Sequence, residues 1–170
     1  GYLDIFKGIF QLVDAFHEIN KENKNVKLMM VGTGPKEKEL KNKVSQWNLE
    51  SYVIFTGAVP NTEIHSYYQM ADVFVLPSYT EGFPLSILEA MGCGLPVVVT
   101  NVGGIREVIK NGENGFIIPP KNRTILTAKL RIFINDNNLR KKFAKKSLEI
   151  VIKFDVNEKI NKIIKLYYEL

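Results

Sequence analysis

The sequence predicts a doubly wound α/β domain built on a parallel sheet, and three features carry that prediction. Short unbroken apolar runs alternate with stretches of helical periodicity along the 170 residues. Most of these runs end in a turn containing Gly or Pro. The runs also lack the in-out alternation of a strand with one wet face. Strands that are apolar throughout are buried on both faces, and strands separated by helices pair in parallel.

Each element follows in order. Ile9, Leu12, Val13, Phe16 and Ile19 recur at helical spacing. The run 26–31 (VKLMMV) reads as a strand and ends in the turn Gly32-Thr33-Gly34-Pro35. Leu40, Val44 and Trp47 return to helical spacing, and 52–55 (YVIF) is a second strand ending at Thr56-Gly57. Asn61 is placed to cap a short helix holding Ile64, Tyr67 and Tyr68. The run 72–76 (DVFVL) is the next strand and the expected centre of the sheet. A loop then leads into a helix over 84–91, where Pro84 suits the first turn because its missing N–H has no helical partner. The strand 96–100, a short helix over 105–109, a turn over 111–115 and the strand 116–119 follow. From Thr124 the pattern is helical to the end, with a break expected near Phe154-Asp155 and an apolar face on Val156, Ile160, Ile163, Ile164 and Tyr167. A helix at Lys7 should follow a strand, yet only Gly1-Tyr2-Leu3 stand before it. The expectation is one domain over 1–170 whose first strand is truncated.

Composition narrows the class. No apolar run approaches the ~18 residues that span a bilayer, and GYLDIFKG does not read as a signal peptide. The single cysteine, Cys93, allows no disulfide within the chain, which suits a reducing compartment and a cytoplasmic location. With no His nearby in sequence, Cys93 reads as a small packing residue; His17 and His65 also read as packing or surface residues, and Tyr67 and Tyr68 as packing. The net charge is +5, with much of the excess in late lysines such as Lys141, Lys142, Lys145 and Lys146. That density suits a solvated helix face or peripheral contact with an anionic membrane at its inner face. No zinc spacing or RNA-binding aromatic pattern accompanies it, so nucleic acid is not an expected partner.

The chemistry should lie beyond the carboxyl ends of the strands, where ligands bind in open parallel sheets. The turns 32–35, 57–60, 77–84 and 103–104 collect there, together with helix N-termini whose free N–H groups favour phosphate. The first turn lacks the Gly-Lys-Ser/Thr of a P-loop, which argues against an NTPase. In EGFPLSILE, Glu81 stands at the helix mouth and Glu89 about a turn inside it. The N–H groups of Phe83, Leu85 and Ser86 between them are candidates to hold phosphate oxygens. Carboxylates this close to a phosphate would repel it unless they bond hydroxyls, and sugar or ribose hydroxyls are the obvious donors.

The run PSYTEGFPLSILEAMGCGLPVVVTNVGGIREVI resembles the signature of the retaining GT-B glycosyltransferases of the group 1, family 4 type, which include sucrose synthases and many lipopolysaccharide and capsule enzymes. The family's E-x7-E motif matches Glu81 and Glu89. Its Lys-Gly helix entry matches Lys7-Gly8, its G-x-G-P turn 32–35, and its F-x-G turn 55–57. Gly103-Gly104, Glu107 and Asn114-Gly115 follow in order. The resemblance covers nearly the whole chain and is specific from Lys7 to about Pro119. It implies a Rossmann-like C-terminal half of a GT-B fold, binding a nucleotide diphosphate sugar such as a UDP- or GDP-hexose, with the acceptor-binding N-terminal domain absent from this sequence.

The resemblance also implies roles. Lys7 would pair with the donor diphosphate, Glu81 would bond the donor sugar, and Glu89 would take the ribose hydroxyls. Gly57, Val59 and Pro60 would lie against the base, and Gly82, Phe83, Pro84, Leu85 and Ser86 would line the phosphates. No metal or other cofactor is expected, since Lys7 and helix N–H groups can stabilise the leaving diphosphate. Two positions depart from the pattern. Gly1-Tyr2 stands where the family commonly has Gly-Arg, with Arg106 a candidate replacement, and Pro84 stands where many relatives have Gly. The function expected is sugar transfer to a glycan or lipid-linked acceptor in polysaccharide synthesis, the isolated domain being inactive. The alternatives are a nucleotide-sugar-binding module without catalysis and, less well matched, a sugar epimerase of related architecture.

Overall fold

The computed structural model describes residues 2–82 and 85–154. A short 3-10 turn, Ile5–Lys7, enters α1 (Ile9–Glu22). Then come β1 (Leu28–Val31), α2 (Glu37–Gln46), β2 (Val53–Gly57), α3 (Ile64–Gln69), β3 (Phe74–Leu76) and α4 (Leu85–Gly92). After β4 (Val97–Thr100), α5 (Ile105–Val108) and β5 (Gly115–Ile118), the chain ends in α6 (Arg123–Asn135), α7 (Asn137–Val151) and a 3-10 turn, Ile152–Phe154.

Every strand pair is parallel, as the unbroken apolar runs require. Strand β4 shows why the domain is doubly wound. Val97, Val98 and Val99 are all fully buried. Val98 joins the core made with α1 and α6, whereas Val97 and Val99 join the one made with α4 and α5. Alternate side chains thus serve opposite faces, and both faces carry helices. On the first face Phe116, Phe133 and Phe143 form an aromatic cluster with ring centroids 4.8–5.4 Å apart.

Three expectations are corrected. The strand at 72–76 is not central: the hydrogen-bonded orders are β1-β2 and β3-β4-β5, so β3 is an edge and β4 holds the middle. Apolar content reports burial on two faces, not a partner on two edges. Asn61 does not cap α3, which starts at Ile64 after Glu63 with no side-chain cap bond. The C-terminal helical stretch is broken at Asp136, which accepts from the Leu139 N–H at 2.8 Å and caps α7. The expectations for Phe83 and Pro84, and for the apolar face beyond residue 155, fall outside the described residues.

Candidate functional site

The N-terminus of α1 and the loop after β3 are fastened together backbone to backbone. Gly8 adopts φ +66°, and a Cβ there would sit 2.0 Å from the Pro77 carbonyl oxygen. Only glycine permits both that conformation and that approach. One residue pair away, the Tyr79 N–H donates to the Phe6 carbonyl at 2.7 Å. The juxtaposition delivers Lys7 to the loop, where its Nζ lies 2.7 Å from Glu81 Oε1. Ser78 Oγ donates to the same oxygen at 2.7 Å. Ser78 is itself fully buried, and its carbonyl accepts from the Thr100 hydroxyl at the end of β4.

Two protein donors therefore converge on Oε1 of Glu81, whose side chain is only 9% exposed. Both of these bonds go to Oε1, and among the described residues none donates to Oε2. Lys7 is 37% exposed and can reach an arriving anion. The other wall is the 101–104 turn. A Cβ on Gly103 would lie 2.3 Å from the carbonyl oxygens of both Glu81 and Gly82, and the Gly104 N–H donates to the Gly82 carbonyl at 3.0 Å.

Glu89 is exposed on α4, on the face of Leu85 one turn earlier, which is also exposed. Its Oε2 accepts from the Tyr68 hydroxyl at 2.9 Å. Burial first, and then the bond to Glu89, push the Tyr68 phenol well above its usual range. The hydroxyl therefore stays a donor and orients the carboxylate. Tyr68 also packs edge-on against Phe74 at 5.7 Å, so its reading as packing alone is corrected. Burial, then Glu89, push the Cys93 thiol up. A thiol held protonated is a poor nucleophile, in keeping with its reading as a packing residue.

The structure thus brings Lys7, Ser78, Glu81 and Gly82 together and places Glu89 on the helix that follows. Gly57, at φ +72°, pairs through its carbonyl with the Gly32 N–H at 2.9 Å, setting two strand-end turns side by side. Val59 is half-buried and Pro60 exposed, and no recorded hydrogen bond ties either to Lys7, Glu81 or Glu89. Ser86 is half-buried in the first turn of α4. Arg106, the candidate replacement for the family arginine, bonds Asn101 through Nε at 2.7 Å. Tyr2 is 62% exposed and pairs with Thr33. Sequence reasoning assigned no role to Ser78 or Thr100 and misread Tyr68; Tyr68 lies 21 residues from Glu89, beyond any local spacing signal. Among the described residues, no three His, Cys, Asp or Glu side chains group as metal ligands.

A parallel Rossmann-like sheet with a lysine, two carboxylates and helix N-termini at its carboxyl edge has the architecture of a GT-B C-terminal domain. Residues 1–149 match the family model described as glycosyl transferases group 1, and the chain belongs to that family. It is similar to the Campylobacter jejuni N,N'-diacetylbacillosaminyl-diphospho-undecaprenol alpha-1,3-N-acetylgalactosaminyltransferase, with 38% identity over 115 residues, 68% of this chain and 30% of that protein. The crystal structure of the C-terminal domain of a glycosyl transferase group 1 family protein (LpcC) from Francisella tularensis superposes with a TM-score of 0.84 at 32% identity, covering 90% of this chain and 82% of that one. Anabaena Alr3699/HepE in complex with UDP superposes with a TM-score of 0.90 at 28% identity, covering 100% of this chain and 47% of that one. The chain spans only 31% to 41% of the length of curated relatives such as the Haemophilus influenzae and Methanocaldococcus jannaschii glycosyltransferases it matches. No helix among the described residues is long and apolar enough to cross a membrane.

Proposed function

We propose that this chain is the donor-binding domain of a glycosyltransferase that moves a sugar, with retention, from a nucleotide diphosphate sugar to a glycan or lipid-linked acceptor. The observation that carries the reading is the shared oxygen of Glu81. Lys7 and Ser78 hold Oε1 while Oε2 is available, so one carboxylate is both fixed and able to accept from a sugar hydroxyl. An arriving diphosphate competes for Lys7, drawing its ammonium off Glu81 and onto the leaving group, where positive charge stabilises the transition state. N–H groups in the first turn of α4 add to that field. Glu89, oriented by Tyr68, takes the ribose, and the turn over Gly57 to Pro60 takes the base. The reading calls for no metal ion. HepE was crystallised with UDP and with UDP-glucose, which supports a uridine donor. The name of the Campylobacter relative specifies a polyprenol-linked acceptor, which supports work at the cytoplasmic face of a membrane.

Calorimetric titration with UDP, GDP and ADP and their glucose conjugates tests the donor site. One diphosphate series should bind, and Glu89→Gln should weaken it about tenfold or more, since a charge-assisted hydrogen bond contributes roughly 1.5–3 kcal/mol. Glu81→Gln should keep the free diphosphate but lose the preference for the sugar-bearing form. Unchanged binding in Glu89→Gln would remove Glu89 from the site. Exposed Lys141, Lys142 and Lys145 on α7 support peripheral contact with anionic lipid. Failure to co-sediment with phosphatidylglycerol vesicles at low salt would remove that contact.

A further inference from the structure

Strand β4 is buried along its whole length, and its first three residues are valine. The fourth, Thr100, is 1% exposed and carries a hydroxyl into that apolar setting. Alternate side chains of a strand share a face, so Thr100 points with Val98 toward α1 and α6. A buried hydroxyl needs a partner. This one donates to the Ser78 carbonyl, 22 residues earlier in sequence and just past β3.

The register of the ladder explains why that carbonyl depends on a side chain. Phe74 donates to the Pro96 carbonyl, and Leu76 stands against Val99. Bonds along a parallel pair recur every two residues, so continued pairing would set the Ser78 carbonyl against the Val102 N–H. Val102 instead turns back and donates to the Thr100 carbonyl at 3.0 Å. That turn lets Gly103 pass close beneath the carbonyls of Glu81 and Gly82. Ser78 is fully buried, and an unpaired carbonyl there would cost about as much as a lost hydrogen bond. The Thr100 hydroxyl supplies the donor that the turning strand withdraws.

Ser78 in turn donates its own hydroxyl to Glu81 Oε1 at 2.7 Å. Lys7 holds the same oxygen, but from a side chain that is 37% exposed and open to an arriving anion. Once a diphosphate has drawn Lys7 away, Ser78 is the described residue still bonded to that carboxylate. Its hydroxyl keeps its aim only while its peptide stays in place. The next peptide is tied by the Tyr79 N–H to the Phe6 carbonyl, and Thr100 ties that of Ser78 itself.

We infer that Thr100 is a positioning residue for the donor sugar: its hydroxyl fixes the Ser78 peptide, Ser78 fixes Glu81 Oε1, and Glu81 stays in place for a sugar hydroxyl after Lys7 has gone to the diphosphate. This role rests on the proposed part of Glu81 in donor binding. Thr100 itself touches no substrate. Its branched side chain restricts χ1, which keeps the hydroxyl on the Ser78 carbonyl.

Thr100→Val keeps the shape of the side chain and removes the hydroxyl, whereas Thr100→Ser keeps the hydroxyl. Calorimetric titration with UDP and UDP-glucose gives the ratio of the two affinities. In Thr100→Val the ratio should shift roughly two- to tenfold against UDP-glucose while UDP binds as in the wild type, and Thr100→Ser should restore it. A purely structural threonine would lower the thermal midpoint and leave the ratio alone. An unchanged ratio in Thr100→Val, where Glu81→Gln alters it, overturns the inference. If Glu81→Gln also leaves the ratio unchanged, or UDP does not bind, the donor-site reading has failed instead, and Thr100 is judged without nucleotide. The carbon-13 carboxyl resonance of Glu81, identified by its loss in Glu81→Gln, should then move in Thr100→Val in the direction it moves in Ser78→Ala, and return in Thr100→Ser. A resonance that Thr100→Val leaves unmoved overturns the inference whatever the nucleotides do. Should Thr100→Val fail to fold, Thr100→Ala takes its place in both measurements, with the same outcomes deciding.

Discussion

Glu81 and Glu89 stand eight residues apart, yet different parts of the chain hold them: Lys7 and Ser78 the first, Tyr68 the second. The sequence spacing made both legible as candidates, because a carboxylate at a helix mouth and another a turn inside it share one edge. The residues that aim them were not legible, since each partner but Ser78 is distant in sequence. Tyr68→Phe isolates that aiming. It keeps the ring against Phe74 and removes a hydroxyl bond of about 0.5–1.5 kcal/mol. Nucleotide affinity should fall roughly two- to tenfold with little change in thermal midpoint, and adding Tyr68→Phe to Glu89→Gln should cost nothing further. Additive losses, measured by calorimetry, would separate the two residues. His17 gives a pH prediction. Its ring stacks on Trp47 at 4.2 Å, and its Nδ1 is buried without a hydrogen-bond partner. Burial first, and then the nearby Lys21, hold its pKa below the usual 6.5. A depressed imidazole pKa means that the folded chain takes up the proton less readily than the unfolded one. This contribution is therefore fully present above 6.5 and is lost as pH falls from there through the folded value. Thermal midpoints between pH 7.5 and 5 should drop further in the wild type than in His17→Phe, which keeps the stack and cannot titrate; identical slopes would exclude His17 as a source.

At the scale of elements, the five strands and the helices between them were legible to within a residue or two, because periodicity and Gly/Pro punctuation act locally. What was not legible depended on partners. The break at Asp136 escaped because buried positions continue on both sides of it, from Leu126, Leu130 and Phe133 to Phe143 and Ile150. The edge position of β3 escaped because an apolar strand reads alike whether one or two strands pair with it. Lys7-Gly8 was visible as a motif, but its physical reason appears only in the fold: Gly8 lets the entry of α1 touch the end of β3. Gly8→Ala should therefore act twice. The left-handed backbone costs roughly 1–2 kcal/mol for a residue with a Cβ, and the clash with the Pro77 carbonyl forces Lys7 away from Glu81. Gly112, at φ +85° and with nothing within 4 Å of where a Cβ would sit, supplies the control. Urea midpoints should fall for both alanine variants, more for Gly8→Ala, and nucleotide affinity should fall for Gly8→Ala alone. Equal destabilisation with unchanged affinity would reduce Gly8 to a conformational role.

At the scale of the molecule, the site is open. Lys7, Glu81 and Glu89 lie along an open edge, and the large apolar side chains near them are uncovered: Tyr2 is 62% exposed, Phe6 61% and Leu85 65%. Relatives of this chain are more than twice its length, so most of their sequence has no counterpart in these 170 residues. Transfer needs more than a bound donor. The acceptor must be oriented and water kept from the reacting carbon, and an open edge does neither. The 170-residue chain should therefore bind nucleoside diphosphate yet neither transfer nor hydrolyse sugar above background, whatever acceptor is offered. Binding and chemistry should separate cleanly, because the proposed roles of Lys7 and Glu89 are contacts to the donor alone. Radiolabelled UDP-glucose with a panel of glycan and polyprenyl-phosphate acceptors measures this directly. Turnover by the purified chain would mean that the edge around Glu81 is a complete active site, and the division between a donor-binding part and an acceptor-binding part would have to be given up even if every nucleotide contact proved right.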